Sequence, residues 1–367
     1  MSPFPSRLQN PTVAYTGRAG QLWVLMAVNL LLTVVTLGTF RFWARTRLRR
    51  HLWAHTLIGG EALEYTGTGN ELFRGFLRAL LVIGPVVLAF LVLEFLFPPE
   101  GRMPAEIMLW LVVLYLAHLA VFGAQRYRFR RTTWRGIRCD INGSAGAYAR
   151  SMLGRTLLLP LTLFTAIPWM TAARLRRTLG EARYGSARFA FGGTGNGLVN
   201  AFFAALLAVT PLAILGFWGI GAGIGPHLWP DITDAETRKG AIDLTQEVAT
   251  LALLVVLFVV ASTIYGAATL PFIFKELSLA APDGSRLHFG FKAGMARTMA
   301  FLFGNVLLTL LSLGLLAPLA LHRRMRFVGD NVIANGALAL DAIRQADAGE
   351  AHGEGLADTF GLETGLT

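Results

Sequence analysis

The order in which this chain alternates membrane-length apolar runs with short strand-like stretches constrains its fold more than any single motif. Apolar runs lie near residues 21–40, 76–97, 107–124, 155–172, 198–222, 248–274 and 298–321, each close to the roughly 20 residues that a spanning helix needs. Between them are stretches of two-residue alternation, such as Ile137, Cys139 and Ile141 against Arg138, Asp140 and Asn142, which is the period of a strand. Equivalent stretches contain Val13 and Tyr15, Leu63 and Tyr65, Phe189 and Phe191, Leu287, Phe289 and Phe291, and Leu338 and Leu340. Counted between successive strands, the apolar runs number one, two, one, two, one. If the six strands share one side of a membrane, each single run must return to the face it left.

Composition agrees with a bilayer as solvent. Of 367 residues 54% are hydrophobic and 15% charged, against about 25% charged in soluble proteins. The first run exceeds the core of a secretory signal, about 7 to 15 residues, and no small-x-small site follows it, so it is expected to stay attached. Cys139 is the single cysteine, which excludes an intramolecular disulfide or a cysteine-based zinc site. The net charge of +11 does not point to nucleic acid, because the basic residues flank apolar runs as the positive-inside rule requires. Thirty of the 33 basic residues are arginine.

The chain is also self-similar. GTGN occurs at 67–70 and again at 193–196, an offset of 126 that also maps Gly17 onto Gly143, Trp43 onto Trp169, Arg50 onto Arg176 and Gly59 onto Gly185. A further copy at an offset of 276 pairs Asn29 with Asn305, Leu37 and Gly38 with Leu313 and Gly314, Arg47 with Arg323 and Arg50 with Arg326. The expected organisation is repeat 1 over 1–125, repeat 2 over 126–275, a half repeat over 276–344 and a disordered tail over 345–367. At the corners after the strands, glycines permit positive φ, and Thr68, Asn70, Thr194 or Asn196 can cap the next helix. GTGNG at 193–197 is not a phosphate loop, since no ribose-binding acid or Walker lysine follows it.

The segments TTWRGIRCDINGS (132–144), TLGTFRFWARTRLRR, EYTGT and LLSLGLLAP resemble the YjgN-like family of bacterial inner-membrane proteins over nearly the whole chain. The family is a domain of unknown function, so the resemblance implies a location and an architecture but no reaction. Two departures stand out: Phe164 replaces the glycine of TLG in the second copy, and Leu319 replaces the tryptophan in the third.

Two topologies follow. The first has four full spans plus three re-entrant or interfacial segments, with short strands forming a cap on the cytoplasmic side; the alternative has seven spans. Charge favours the first. Segments flanking the single runs (41–57, 126–138, 174–188, 322–326) are basic, whereas the connectors 98–106 and 226–247 carry most of the nearby acids. Gly38, Pro168, Gly314 and Pro318 are the expected segment breakers.

No set of residues suggests catalysis or a cofactor. His51 and His55 share a helix face but lack further ligands for a metal, and His118 and Glu94 read as a hydrogen-bonded and an interfacial group. Asn29 and Asn305 occupy matched positions and read as packing contacts. Trp43, Trp53, Trp134 and Trp169 are expected to anchor at the headgroup level. Arg45, Arg47, Arg50, Arg135, Arg138, Arg174, Arg176, Arg323 and Arg326 mark the cytoplasmic face. By converging from three copies they are expected to form a basic bowl for anionic headgroups or an anionic solute. The functional expectation is passage of a small, anionic solute, with a lipid-interacting or structural scaffold as alternative. Anionic membrane lipids are the expected partners.

Overall fold

A computed structural model describes residues 7–221 and 235–345. The expected disordered tail 345–367, apart from Gln345, and residues 226–234 of the acidic connector lie outside the described residues. In chain order the elements are β1 Arg7–Gln9, β2 Val13–Tyr15, α1 Ala19–Val35, α2 Arg41–Ala54, β3 Thr56–Ile58, β4 Glu61–Tyr65, α3 Gly69–Leu96 and α4 Pro99–Arg130. Then come β5 Thr132–Trp134, β6 Ile137–Ile141, α5 Ala145–Leu161, α6 Ile167–Thr178, β7 Ala182–Tyr184, β8 Ala187–Phe191, α7 Asn196–Gly221 and α8 Ala235–Lys275. The last are β9 Leu277–Ala280, β10 Arg286–Phe291, α9 Met295–Leu311, α10 Ala317–Asn331 and β11 Val332–Ala339.

Among the described residues, four helices are long and apolar enough to cross a membrane: Gly69–Leu96, Gly101–Arg130, Asn196–Ile220 and Asp243–Lys275. The three remaining apolar runs are each broken into two shorter helices, α1 with α2, α5 with α6 and α9 with α10. The longest of these have 17 residues, about 26 Å, less than the roughly 30 Å hydrocarbon core.

Each break uses the same backbone device. Gly38 N–H donates to Thr33 O at 2.7 Å while Leu37 N–H donates to Val34 O at 3.1 Å, the paired bonds of a Schellman motif. Phe164 N–H to Leu159 O (2.7 Å) and Gly314 N–H to Thr309 O (2.8 Å) repeat it. The residue that turns left-handed first is a leucine in all three, at φ 49° for Leu37, 46° for Leu163 and 48° for Leu313. Gly38 (87°) and Gly314 (83°) follow at no steric cost, but Phe164 takes φ 61° with a full side chain. The expected breakers Pro168 and Pro318 do not make the turns. They sit buried at the second position of α6 and α10, where a missing N–H costs nothing.

Every helix pair begins and ends on neighbouring strands. Tyr15 before α1 pairs with Thr56 after α2, Ile141 before α5 pairs with Ala182 after α6, and Phe291 before α9 pairs with Val332 after α10. The same holds for the spanning pairs, through Tyr65 with Thr132 and Phe191 with Leu277. A run that starts and ends on paired residues has not changed sides, which removes the seven-span alternative.

The strands themselves overturn the expectation of a short six-stranded cap. Among the described residues, eleven strands form one antiparallel sheet in the order β1-β11-β10-β9-β8-β7-β6-β5-β4-β3-β2. Its two terminal strands belong to one N-terminal segment, separated only by residues 10–12. Laid flat, the ends of such a sheet would stand about 47 Å apart, yet Thr12 bridges Ile333 of β11 and its carbonyl accepts from Gly59 N–H beside β3 at 2.9 Å. The sheet is therefore curled until its ends meet. Its concave face encloses Leu8, Trp134, Tyr184, Leu279, Leu287, Leu338 and Ile343 in one core, so the interior is filled and is not a pore.

The five unexpected strands are β1, β3, β5, β7 and β9, of three or four residues each. They are too short to display alternation. Four follow directly on a helix and turn into the next strand through tight hairpins. Gly59 and Gly60 (φ 59° and 86°), and Arg135 and Gly136 (51° and 76°), occupy two-residue loops with both residues left-handed, the geometry that matches strand twist.

Candidate anion-binding site

The nine arginines singled out in the sequence do not form a single bowl. Arg50 donates through Nη2 to Gly67 O at 2.8 Å, and Arg176 donates to Gly193 O at 3.0 Å; both tie the return helix of a hairpin to the corner that opens the next span. Arg135 sits in the β5–β6 turn and pairs with Glu61 at 3.3 Å. Arg138 is exposed on β6, Arg47 and Arg323 are exposed, and Arg326 faces Asp330 at 3.7 Å on the exposed side of α10. Of the nine, Arg45 and Arg174 line the two cavities described next.

Those cavities lie above the sheet, between the helix pairs. One of about 630 Å³ separates the α1–α2 pair from the α9–α10 pair and is walled by Arg45, Arg49 and Arg324 together with Met26, Leu48, Asn305, Val306 and Leu310. The other, of about 810 Å³, is bounded by α4, α6, α8, α9 and α10 and is walled by Gln125, Arg174 and Arg324 with Thr263, Leu270, Phe301 and Val306. Arg324, Leu302 and Val306 belong to both. Among the described residues that line them, none is acidic. Burial draws the Arg324 guanidinium below its ordinary pKa, but an arginine stays charged in a protein. Arg49, 7% exposed, is held by Tyr65, to whose hydroxyl it donates at 3.2 Å.

Arg49 and Arg324 each adjoin an arginine selected through the repeat offset. The signal that identifies them is helical. Arg45, Leu48, Arg49 and Leu52 recur at i, i+3, i+4 and i+7 and all line the first cavity, so they share one face of α2.

Of the four tryptophans expected as interface anchors, Trp43, Trp53 and Trp134 are half-buried or buried against protein, while Trp169 stays 45% exposed. Trp134 is 6% exposed inside the curled sheet, 5.4 Å from the Tyr184 ring, out of reach of any headgroup. Trp53 donates to Thr132 Oγ1 at 2.9 Å. Trp43 and Trp169 lie on the third residue of each GTGN: a Cβ at Gly69 would stand 2.5 Å from Trp43 Cδ1, and one at Gly195 2.5 Å from Trp169 Cγ. Trp110 and Trp218, 64% and 72% exposed on spanning helices, are better placed for the bilayer.

The remaining polar groups are structural. Thr68 caps α3 by accepting from Glu71 N–H at 3.3 Å, and the Glu71 carboxylate accepts from Tyr127 Oη at 2.8 Å and Arg131 Nη2 at 2.9 Å. Asn29 Nδ2 donates to Ala44 O and Asn305 Nδ2 to Ala320 O, each at 3.3 Å. His118 and Thr156 Oγ1 lie 3.0 Å apart, joining α4 to α5, and Glu94 is exposed. The His51 and His55 rings lie 4.3 Å apart at a tilt of 38°, and among the described residues no group of three or more His, Cys, Asp or Glu converges as a metal site. Burial, reinforced by Asp140, pushes the Cys139 thiol up to about 12, which leaves it unreactive.

Comparison with known proteins agrees with the membrane architecture. The chain is similar to the inner membrane protein YjgN of Salmonella typhimurium, at 27% identity over 158 residues, or 43% of this chain and 38% of that protein. It is similar to YjgN of Escherichia coli O157:H7 at 28% over 131 residues and of Escherichia coli K12 at 25% over 132, each 35% of this chain and 31% of the relative. The matched segments thus span about two-fifths or less of those relatives. No solved structure matches the chain. The family model "Bacterial protein of unknown function (DUF898)" matches residues 10–359. With four apolar spans whose connecting strands share one sheet, the chain is a multi-pass inner-membrane protein belonging to this YjgN-like, DUF898 family.

Proposed function

We propose that the protein binds an anion, free or borne by a larger molecule, between its helix pairs and passes it along the arginine-walled cavities. The observation that carries this reading is Arg324, which forms part of the wall of both cavities, with Arg45 and Arg49 in one and Arg174 in the other. Arginines gathered in a partly dehydrated space offer an anion charge-assisted, bidentate hydrogen bonds, and the positive field they set up favours its entry. Both volumes fall in the range of about 300–1,000 Å³ typical of ligand sites.

The test uses inorganic phosphate as probe and chloride at equal ionic strength as control. Phosphate should raise the thermal midpoint of the detergent-purified protein, as ligands of the folded state do, and the rise should be lost in Arg324→Gln. Proteoliposomes loaded with labelled phosphate should release it faster than protein-free vesicles. No shift, or an equal shift in the variant, overturns the reading.

A second reading, a lipid-interacting role, is supported by the tips of the short pairs. Leu37, Leu163 and Leu313 are 94%, 82% and 93% exposed, so their side chains need an apolar surrounding other than this chain. A dye on Leu37→Cys should be quenched by brominated lipid; quenching only by aqueous iodide counts against it.

A further inference from the structure

We infer that the anion is a two-chain anionic phospholipid, its phosphate at Arg324 and one acyl chain in each cavity. This rests on the anion-binding reading above and names the class of ligand. The walls of both cavities carry the argument. Away from the arginines the first is lined by Met26, Leu48, Leu302, Val306 and Leu310, and the second by Leu270, Ile273, Phe274, Phe301 and Val328. Polar side chains interrupt these walls, Asn305 and Thr309 in the first and Gln125 and Thr263 in the second, but the apolar stretches stabilise an acyl chain leaving water and give a hydrated inorganic anion no such gain.

The direction of the cavities fits as well. In α10, which descends from the hairpin tip to the sheet, Arg324 lies midway, while Ala317 and Leu310 of the first cavity lie at the tip end. That cavity therefore runs from the arginines toward Leu311, Leu313 and Leu315, which are 82%, 93% and 70% exposed. The second follows the spanning helix α8 from Phe274 up to Ser262, about 18 Å along the helix axis. Both are elongated along the spans, as an acyl chain is and a phosphate is not.

Leu302 and Val306, one turn apart on α9, line both cavities and act as a ridge over which two chains from one headgroup would part. The hydroxyl of Thr263, a residue 4% exposed, lines the second cavity with no hydrogen-bond partner. Measured from the sheet ends of their helices, it stands about 8 Å deeper toward the bilayer than Arg324. At that height it can donate to the ester carbonyl of a lipid whose phosphate is on the arginine.

The experiment offers the delipidated protein dioleoyl phosphatidylglycerol, dioleoyl phosphatidylcholine or inorganic phosphate, and counts bound lipid by native mass spectrometry. Phosphatidylglycerol should bind saturably at one per chain and phosphatidylcholine at least tenfold more weakly. Arg324→Gln should weaken both phosphatidylglycerol and phosphate about tenfold, the effect of losing a charge-assisted hydrogen bond. Val306→Trp, which fills the ridge, should weaken phosphatidylglycerol about tenfold and leave the phosphate response unchanged. Leu302→Phe replaces it if the tryptophan variant does not elute as a single species. Equal binding of the two lipids, or phosphatidylglycerol binding indifferent to the ridge variant, overturns the phospholipid assignment. Phosphate binding without lipid binding overturns it while sparing the anion site; the absence of both removes the two together.

Discussion

Arg50 donates its guanidinium to the carbonyl oxygen of Gly67 at 2.8 Å, closing the corner where a strand becomes the first spanning helix. Arg176 makes the same bond to Gly193, 126 residues later. These arginines act on backbone within the chain, while Arg324 lines the cavities. Arg50→Gln and Arg176→Gln should each lower stability by about 1 kcal/mol, the net worth of such a bond, measured by denaturant titration in detergent. The phosphate response should survive both; its loss would return these residues to the ligand site.

Gly69 and Gly195 let the return helices approach. A Cβ there would also stand 2.9 Å from the Trp43 Cα and 2.7 Å from the Trp169 Cα, and backbone cannot yield as a side chain can. Gly69→Ala and Gly195→Ala should each cost about 2–3 kcal/mol. Gly154 lies mid-helix in α5, and a Cβ there would meet nothing within 4 Å, so Gly154→Ala should raise stability by up to about 1 kcal/mol. Thermal midpoints that move together in the three variants would contradict this packing.

Phe164 holds φ 61° where the other two tips have glycine. Left-handed backbone costs a side-chain-bearing residue about 1–2 kcal/mol, so Phe164→Gly should raise stability by about 1 kcal/mol and Gly38→Ala should lower it by a similar amount. Both are read from unfolding midpoints.

His51 has its pKa lowered from 6.5, first by burial and then by His55, and its Nε2 is buried without a partner. A lowered folded-state pKa means the unfolded chain takes the proton more readily. Stability from the neutral imidazole is thus present above about pH 6.5 and declines as the pH falls toward the folded-state value. His51→Gln should flatten that decline in a midpoint-versus-pH series; an unchanged slope would assign the decline elsewhere.

How far the fold was legible follows from the range of the interactions. Membrane location, four spans, the strand-like stretches and the left-handed turns at Gly38 and Gly314 are written in composition, period and local backbone preference, because each depends on residues within a turn or two. The repeat offset led to Arg50 and Arg176, whose matched bonds to Gly67 and Gly193 are local to the corner they close. It led away from Arg49 and Arg324, because the cavity is a property of helix faces and not of aligned positions.

Only the tertiary structure decided the rest. Three-residue strands such as Thr132–Trp134 carry too few side chains to show a period, and they exist because a neighbouring strand pairs with their backbone. The curl that unites Leu8 with Trp134 arises from ten such pairings and from one N-terminal segment that supplies both ends of the sheet. That same closure turns Trp134 inward and sets Arg45, Arg49, Arg174 and Arg324, drawn from three helix pairs far apart in the chain, around two adjoining cavities. Local preference does not encode such a meeting, since its energy comes from contacts between residues that approach each other only when the whole sheet has formed.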